Sequence, residues 1–440
     1  MTVLLDRPAE SPVRPLPRSR KAVRDPFIDL LRVFGMALVV LQHWTIPVLT
    51  YQDGRLGTGN ALATPGVWVV TWISQVMPLV FFAGGAANAI SFGRAAHGTQ
   101  RWLAVRLRRL AWPLLPLAAV WIPLPHLLLE LGVPAQPLET GAKLTGQLLW
   151  FLAVYVIAVV ATPSLLGLHA RHGLRVPAAL AAGAALTDVV RFSTGVEPLG
   201  YLNIVFVWLA VHQLGFLYAE GRLTRPWPLA IGGFGTAALL VAFGPYPGSM
   251  IGLPGAEVSN MAPPTLAMLA VAAGQIGLAT LLRPLILRLR TDGLLAWAGP
   301  RVMTVYLWHM PALFAVTGVV VVGLGLDTPA PASLGWFAGW PLWFGLLCLV
   351  MWPLLKGFAR FEEPPALPYG KATWGSSLGA AALVGGGLLM LTVAGFAPGW
   401  TPVVATVAIL GGLLATGPQT PLSAGRGSRR GSSMGETSAG

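Results

Sequence analysis

The sequence predicts an all-α, polytopic membrane helix bundle of about twelve transmembrane helices, with both termini in the cytoplasm. Three observations carry this. Hydrophobic residues make up 55% of the 440-residue chain and charged residues only 10%, against about 25% charged in soluble domains; the mean hydropathy is +0.68. Twelve apolar segments follow one another, at about 28–48, 67–92, 110–131, 144–168, 176–192, 201–220, 227–244, 262–286, 302–326, 336–358, 375–396 and 401–417. Most suffice to cross about 30 Å of hydrocarbon, and those at 176–192, 227–244 and 401–417 sit near the lower limit. With the N-terminus inside, 26 of the 29 Lys and Arg residues fall on the cytoplasmic side, leaving Arg55, Lys143 and Arg191. That is a strong positive-inside pattern. The net charge of +13 therefore reads as topology and contact with anionic headgroups, not as a nucleic-acid surface.

Residues 1–23 are rich in Pro and Arg and hold no apolar run of the signal-peptide kind, so they read as a disordered cytoplasmic tail. The first apolar segment carries Asp29, Arg32 and His43. Ionisable groups at membrane depth are costly and mark functional paths. Eleven residues separate Arg32 from His43, about three helical turns, which places them on one face about 16 Å apart. Asp29 precedes Arg32 by three residues, the spacing of a local helical ion pair. In the second segment Gly84 and Gly85 permit close helix approach, for a channel or for packing alone. Arg106, Arg108 and Arg109 form a basic loop entering the third.

His169 and His172 fall in the basic cytoplasmic loop after the fourth segment; with no acidic or Cys partner nearby, no metal site is expected there. His212 lies in the middle of the sixth segment, where structural bonding and acceptor binding are both open. Ser259 and Asn260, beside Pro263-Pro264, read either as exposed polar groups that help bind an acceptor or as a turn before the eighth segment. Tyr306, Trp308 and His309 enter the ninth segment. His309 lies about seven residues from the cytoplasmic edge of that segment and His43 about fifteen from the edge of its own. The difference amounts to roughly 12 Å in depth, so no direct pair is expected. Cys348 is the only cysteine, which rules out an intrachain disulfide and reads as a buried small apolar residue. Residues 418–440 are rich in Gly, Ser and Arg and read as a second disordered tail.

Several stretches resemble, in order, the motifs of one family. Arg32-x10-His43 is similar to the signature that opens the acyltransferase 3 family, integral membrane enzymes that move acyl groups from acyl-CoA to extracytoplasmic acceptors. Met77-Pro-Leu-Val-Phe-Phe-Ala-Gly84-Gly85 resembles its second-helix motif, with Ala83 where a Ser is usual. Arg106-Leu-Arg-Arg109-Leu-Ala-Trp-Pro113 is similar to its basic loop. Thr304-Val-Tyr306-Leu-Trp308-His309-Met-Pro311 resembles its late Tyr-Leu-Trp-His-x-Pro motif, and Phe361-Glu362-Glu-Pro364 its closing Glu-Pro pair. The resemblance implies a ten-helix core, here residues 24–368, so that residues 369–417 add two helices. The 23-residue polar tail beyond them argues against a fused second enzymatic domain. The Ala83 departure puts any role of that Ser in doubt and leaves the Arg and His positions untouched.

The residues support the same chemistry. A hydroxyl attacking a thioester must lose a proton, and imidazole titrates near working pH, which makes His43 the expected general base. CoA is polyanionic and cytoplasmic, and arginine binds phosphate with two donors; Arg32, Arg106 and Arg109 are placed for it. His309 is expected as a supporting or CoA-contacting group, with Tyr306 and Trp308 behind it. The expectation is an O-acyltransferase of the plasma membrane with acyl-CoA, acetyl-CoA in the commonest case, as co-substrate and no tightly bound cofactor. Its acceptor would be a hydroxylated carbohydrate, glycolipid, cell-wall polymer or small metabolite. The main alternative is a twelve-helix secondary transporter, with Pro78, Pro123 and Pro163 as helix breaks; a membrane scaffold or polymer-assembly component is the third class.

Overall fold

The computed structural model describes residues 25–95, 98–365 and 373–416. The tails expected at 1–23 and 418–440, and the boundary expected at 368–369, lie outside the described residues. Among the described residues, eleven helical segments are long and apolar enough to cross a membrane: Pro26–Thr45, Val67–Phe92, Thr99–Glu130, Ala135–His172, Arg175–Thr194, Glu197–Ala219, Pro226–Phe243, Leu266–Ile286, Asp292–Gly323, Leu334–Phe361 and Trp374–Ala394. They are numbered here as spans one to eleven. The twelfth apolar segment forms a shorter helix, Trp400–Ala415, about 24 Å long at 1.5 Å per residue, packed against span eleven.

Local chemistry explains where the spans begin and bend. Asp25 caps span one, its Oδ1 accepting from Phe27 N at 3.0 Å and Ile28 N at 3.4 Å, and Pro26 takes the first helical position, where its missing N–H costs nothing. Span three is three consecutive helices, Thr99–Ala111, Leu114–Trp121 and Leu124–Glu130, interrupted at Pro113 and Pro123, which cannot donate to the preceding turn. Arg106, Arg108 and Arg109 therefore sit within a helix and not in the expected loop. Span four is similarly two helices, Ala135–Gln147 and Trp150–His172.

Gly84 and Gly85 serve packing. A Cβ on Gly85 would lie 2.0 Å from the carbonyl oxygen of His212, and one on Gly84 would lie 2.6 Å from the Tyr155 ring. Gly215 of span six mirrors this, with a Cβ position 2.3 Å from Phe82 O. Spans two and six thus cross with backbones almost touching, the small-residue mode of helix association in lipid.

Among the described residues, one two-stranded sheet interrupts the helices. Pro47–Gln52 (β1) pairs antiparallel with Arg55–Asn60 (β2), Gln52 opposite Arg55. The two-residue turn Asp53-Gly54 has φ of 49° and 75°, the left-handed pair that tight hairpins need. The hairpin roofs one end of the bundle: Thr328 N donates to Leu49 O at 2.8 Å, Tyr51 N to Asp327 Oδ1 at 2.8 Å, and Leu56 N to Gln136 Oε1 at 2.8 Å. Leu49 and Leu56 close over Val321. An all-helical expectation leaves this hairpin out.

Three further expectations are corrected. Cys348 is exposed, not buried. Only Leu347, Met351 and Leu355 of its helix are buried, a stripe of spacing four that Cys348 misses by one position. His169 lies inside span four and is buried. Its Nε2 sits 3.3 Å from Glu220 Oε2, an acidic partner that the helix following Glu197 brings from fifty-one residues away. Asn260 is fully buried, its amide donating to Pro247 O and Ser249 O at 2.6 and 2.9 Å and accepting from Thr265 Oγ1 at 2.6 Å. Ser259 Oγ accepts from Met261 N and Ala262 N at 3.1 and 3.2 Å. Asn260 is therefore not exposed, and Ser259, half-buried, takes part in folding the turn before span eight.

Candidate active site

Two histidines from opposite ends of the sequence meet. His43 Nδ1 lies 2.9 Å from His309 Nε2, with the rings stacked at a centroid distance of 5.1 Å. This overturns the expected separation in depth. That separation measured His309 from the apolar onset at Val302, but span nine is helical from Asp292, through Asp292–Ala298 and Gly299–Arg301. Position 309 is seventeen residues past Asp292, and position 43 is seventeen past Pro26. At 1.5 Å per residue both lie about 25 Å into their spans. His43 is also in the last turn of its helix, closer to the hairpin end than an apolar segment running to Val48 implies.

The surrounding hydrogen bonds decide the tautomers. His309 Nδ1 is 2.6 Å from Tyr306 O. A carbonyl only accepts, so this nitrogen carries the proton. In the neutral ring His309 Nε2 then holds a lone pair and accepts from His43 Nδ1–H. His43 Nε2 is left with its lone pair, and it has no hydrogen-bond partner among the described residues; the ring is half-buried. A base of this form, with one nitrogen anchored and the other open, is what proton abstraction requires.

The neighbours of the pair hold it from both helices. Trp44 Nε1 donates to His309 O at 3.0 Å, and Trp343 Nε1 donates to Trp44 O at 2.8 Å. Tyr306 Oη donates to Leu148 O, tying span nine to span four. Trp308 stacks on Phe358 at 3.9 Å. Glu362, part of a motif in the sequence but not singled out there as a site residue, accepts from Met303 N at 2.7 Å and Thr304 N at 2.8 Å, and from Thr304 Oγ1. It supplies a carboxylate to the N-terminus of the Val302–Thr317 helix, which has no side-chain cap of its own, satisfying orphan donors and the helix dipole together. Trp44 and Trp343 carry no sequence signal of their own, because each contact joins segments hundreds of residues apart, and the motif that holds Glu362 does not name its partners fifty-eight and fifty-nine residues upstream.

The arginines separate. Arg32 pairs with Asp29 at 3.8 Å and remains half exposed, as the spacing predicts, and such a pair is weak. Its charge also acts on Arg106 and on Glu362. Burial pushes the Glu362 carboxyl above its usual range, while the Thr304 and Met303 donors and Arg32 pull it down. Arg106 folds back on span two, its Nη2 bonding Ala87 O at 3.2 Å and Ser91 Oγ, with the guanidinium over the Trp102 ring. Arg109 is exposed. Arg283 joins this end of the bundle: its Nε donates to Tyr218 Oη at 3.0 Å, and Tyr218 in turn donates to Asp25 Oδ2 at 2.8 Å. These three residues border a cavity of about 440 Å3.

His212 is buried beside Asn88, whose Nδ2 lies 3.1 Å from His212 Nε2. No hydrogen bond or ring contact among the described residues joins it to the His43–His309 pair. It reads as an interhelical polar contact between spans two and six.

A family model described as an acyltransferase domain matches residues 25–356. No curated protein and no solved structure matches the chain. The matched region holds Arg32, His43, Arg106, Arg109 and His309, and span eleven and the Trp400–Ala415 helix lie beyond it. A match over most of the chain decides for covalent chemistry over the transporter and scaffold readings: the chain belongs to the acyltransferase 3 family, as a multi-pass membrane acyltransferase of groups other than amino-acyl groups.

Proposed function

We propose that the protein transfers an acyl group, acetyl in the simplest case, from cytoplasmic acyl-CoA to a hydroxyl of an extracytoplasmic or membrane-associated acceptor, across the plasma membrane. The observation that carries this reading is the anchored imidazole: His43 Nδ1 bonded to His309 and His43 Nε2 open. The acceptor hydroxyl gives its proton to His43 Nε2 as its oxygen attacks the thioester carbonyl. The new C–O bond forms, the C–S bond breaks, and the thiolate of CoA takes the proton back from the imidazolium. During that interval His309 Nε2 accepts from the charged ring, a charge-assisted hydrogen bond stronger than the neutral one it replaces.

The arginines at the inner end support the donor side of the reading. Arg32, Arg109 and Arg283 present guanidinium groups around the start of span one, suited to the phosphates of CoA. Arg106 contributes positive charge while bracing spans two and three. Carbohydrates, glycolipids, cell-wall polymers and small hydroxylated metabolites all fit an acceptor of this class.

His43→Ala tests the assignment. The variant should insert and bind acyl-CoA, yet lose transfer by on the order of 10²–10⁴-fold; His43→Gln should be similarly poor. Radiolabelled acyl-CoA given without acceptor should leave no label on His43, since transfer is direct. Near-normal transfer by His43→Ala would remove the base from this site, and label retained on His43 would replace direct transfer with an acyl-imidazole. Comparing acyl esters on surface lipids and glycans with and without the gene identifies the acceptor.

A further inference from the structure

Beside the histidine pair lies a second cavity, of about 270 Å3, between the ends of spans one, nine and ten. Its lining includes Trp44, Val320, Trp336, Trp340, Trp343 and Leu346. Val320 belongs to a π-helical turn, Gly318–Gly323, a distortion frequent at functional sites. Trp44 links the cavity to the chemistry, because it follows His43 in sequence and its Nε1 holds the carbonyl of His309 at 3.0 Å.

Polar groups around this cavity are mostly committed elsewhere. The Trp44 and Trp343 indole N–H groups donate to His309 O and Trp44 O, and Thr45 Oγ1 donates to Leu41 O at 2.7 Å. Thr328 Oγ1 and Asp327 Oδ1 accept from the hairpin, from Leu49 N at 3.0 Å and Tyr51 N at 2.8 Å. The two spent indoles turn carbon surface to the space. Asp327 Oδ2 and the Trp336 and Trp340 indole N–H groups make no hydrogen bond among the described residues, but carbon dominates the wall, so an aliphatic group entering here loses little beyond water contacts.

We propose that this cavity receives the hydrocarbon chain of the donor's acyl group, and that the enzyme uses acyl chains longer than acetyl. The inference rests on the reading of acyl-CoA as donor and His43 as base. A donor entering from the Arg32 end brings its thioester to His43, and the chain beyond the carbonyl carbon continues past the base, along the wall that starts at Trp44. The chain takes no part in the bonds made and broken. Its burial orients the carbonyl and sets which donors are accepted.

The test is binding of CoA, acetyl-, butyryl-, hexanoyl- and octanoyl-CoA to the full-length protein in lipid nanodiscs, with empty nanodiscs measured alongside. Affinity should rise by about four-fold per added methylene until the cavity is filled. Gly339 lines the cavity, and a Cβ there meets nothing within 4 Å, so Gly339→Leu adds bulk at the cavity from an unobstructed starting point. This variant should bind CoA and acetyl-CoA normally and lose the rise with chain length; Leu346→Trp should do the same from another wall. Partitioning of long chains into lipid is equal in wild type and variants and cannot mimic that difference. Normal binding of CoA and acetyl-CoA with no dependence on chain length, or a dependence unchanged in both variants, would overturn the cavity assignment and leave the donor reading standing. Failure to bind any CoA species would instead remove the donor reading itself.

Discussion

His43 Nδ1 and His309 Nε2 lie 2.9 Å apart, and the far side of the His309 ring is fixed by Tyr306 O at 2.6 Å. His309 therefore acts through His43, orienting the ring and accepting from it when it becomes charged. His309→Ala should lower kcat by on the order of 10²-fold with little change in the KM for acyl-CoA. His309→Gln should recover part of this, because an amide oxygen can still accept from His43 Nδ1. Initial rates at varied donor concentration separate the two constants. A change confined to KM would make His309 a donor-binding group instead.

Glu362 is tied to the same pair through the start of the Val302–Thr317 helix. Its carboxyl is held above its usual range, chiefly by burial. A folded-state value above the unfolded one means the folded protein holds the proton more tightly. That contribution to stability is complete below the ordinary glutamate range and is lost as pH rises through the folded value. Melting temperature should accordingly fall across that interval, and Glu362→Gln should flatten this part of the profile. Glu362→Ala should lower the melting temperature at every pH and reduce kcat, since the helix carrying His309 loses its cap. A profile identical in wild type and Glu362→Gln would show that another group sets the slope.

Much of this architecture was legible in the sequence, and the failures share a cause. Apolar length and the placement of Lys and Arg report the spans directly, because lipid demands both. Spacing within one helix places Asp29 by Arg32. Depth is different: span nine begins with a short apolar turn at residues 294–298, cut from the main apolar run by Gly299-Pro300-Arg301, so an onset read at Val302 places His309 too shallow to meet His43. The hairpin was written in Asp53-Gly54 but sat in a stretch too short to suggest spanning structure. The meanings of Trp44, Trp343 and Glu362 depend on partners far along the chain, which no local pattern encodes.

The arginines of span three should divide by function. Arg109 is exposed, so Arg109→Ala should raise the KM for acyl-CoA without lowering stability. Arg109→Lys should restore only part of the loss, since charge returns without the two-pronged geometry. Arg106 is bonded to Ala87 O and Ser91 Oγ, so Arg106→Ala should also lower the melting temperature, by removing two hydrogen bonds that tie span three to span two. Thermal melts and donor titrations on the same preparations distinguish the two. Unchanged donor affinity in a well-folded Arg109→Ala protein would sink its assignment.

Sidedness can be tested independently of any activity. Leu56 N bonds Gln136 Oε1 at 2.8 Å, and Trp72 Nε1 bonds Gly248 O at 2.7 Å. The hairpin meets the start of span four, and the first turns of span two meet the loop before span eight. With 26 of 29 basic residues assigned to the opposite side, reporter fusions at Gly57, Gln136 and Gly255 should read outside, and fusions at Arg94 and Arg225 inside. The last helix is the discriminating case. Trp400–Ala415 has 16 residues, about 24 Å against some 30 Å of hydrocarbon, and it crosses only if the bilayer thins or flanking residues reach to the interface. A fusion at Arg430 should read inside if it crosses, returning the chain to the side on which it began. An outside reading there, with the others as expected, would leave eleven spans and make the final helix a packing element against span eleven.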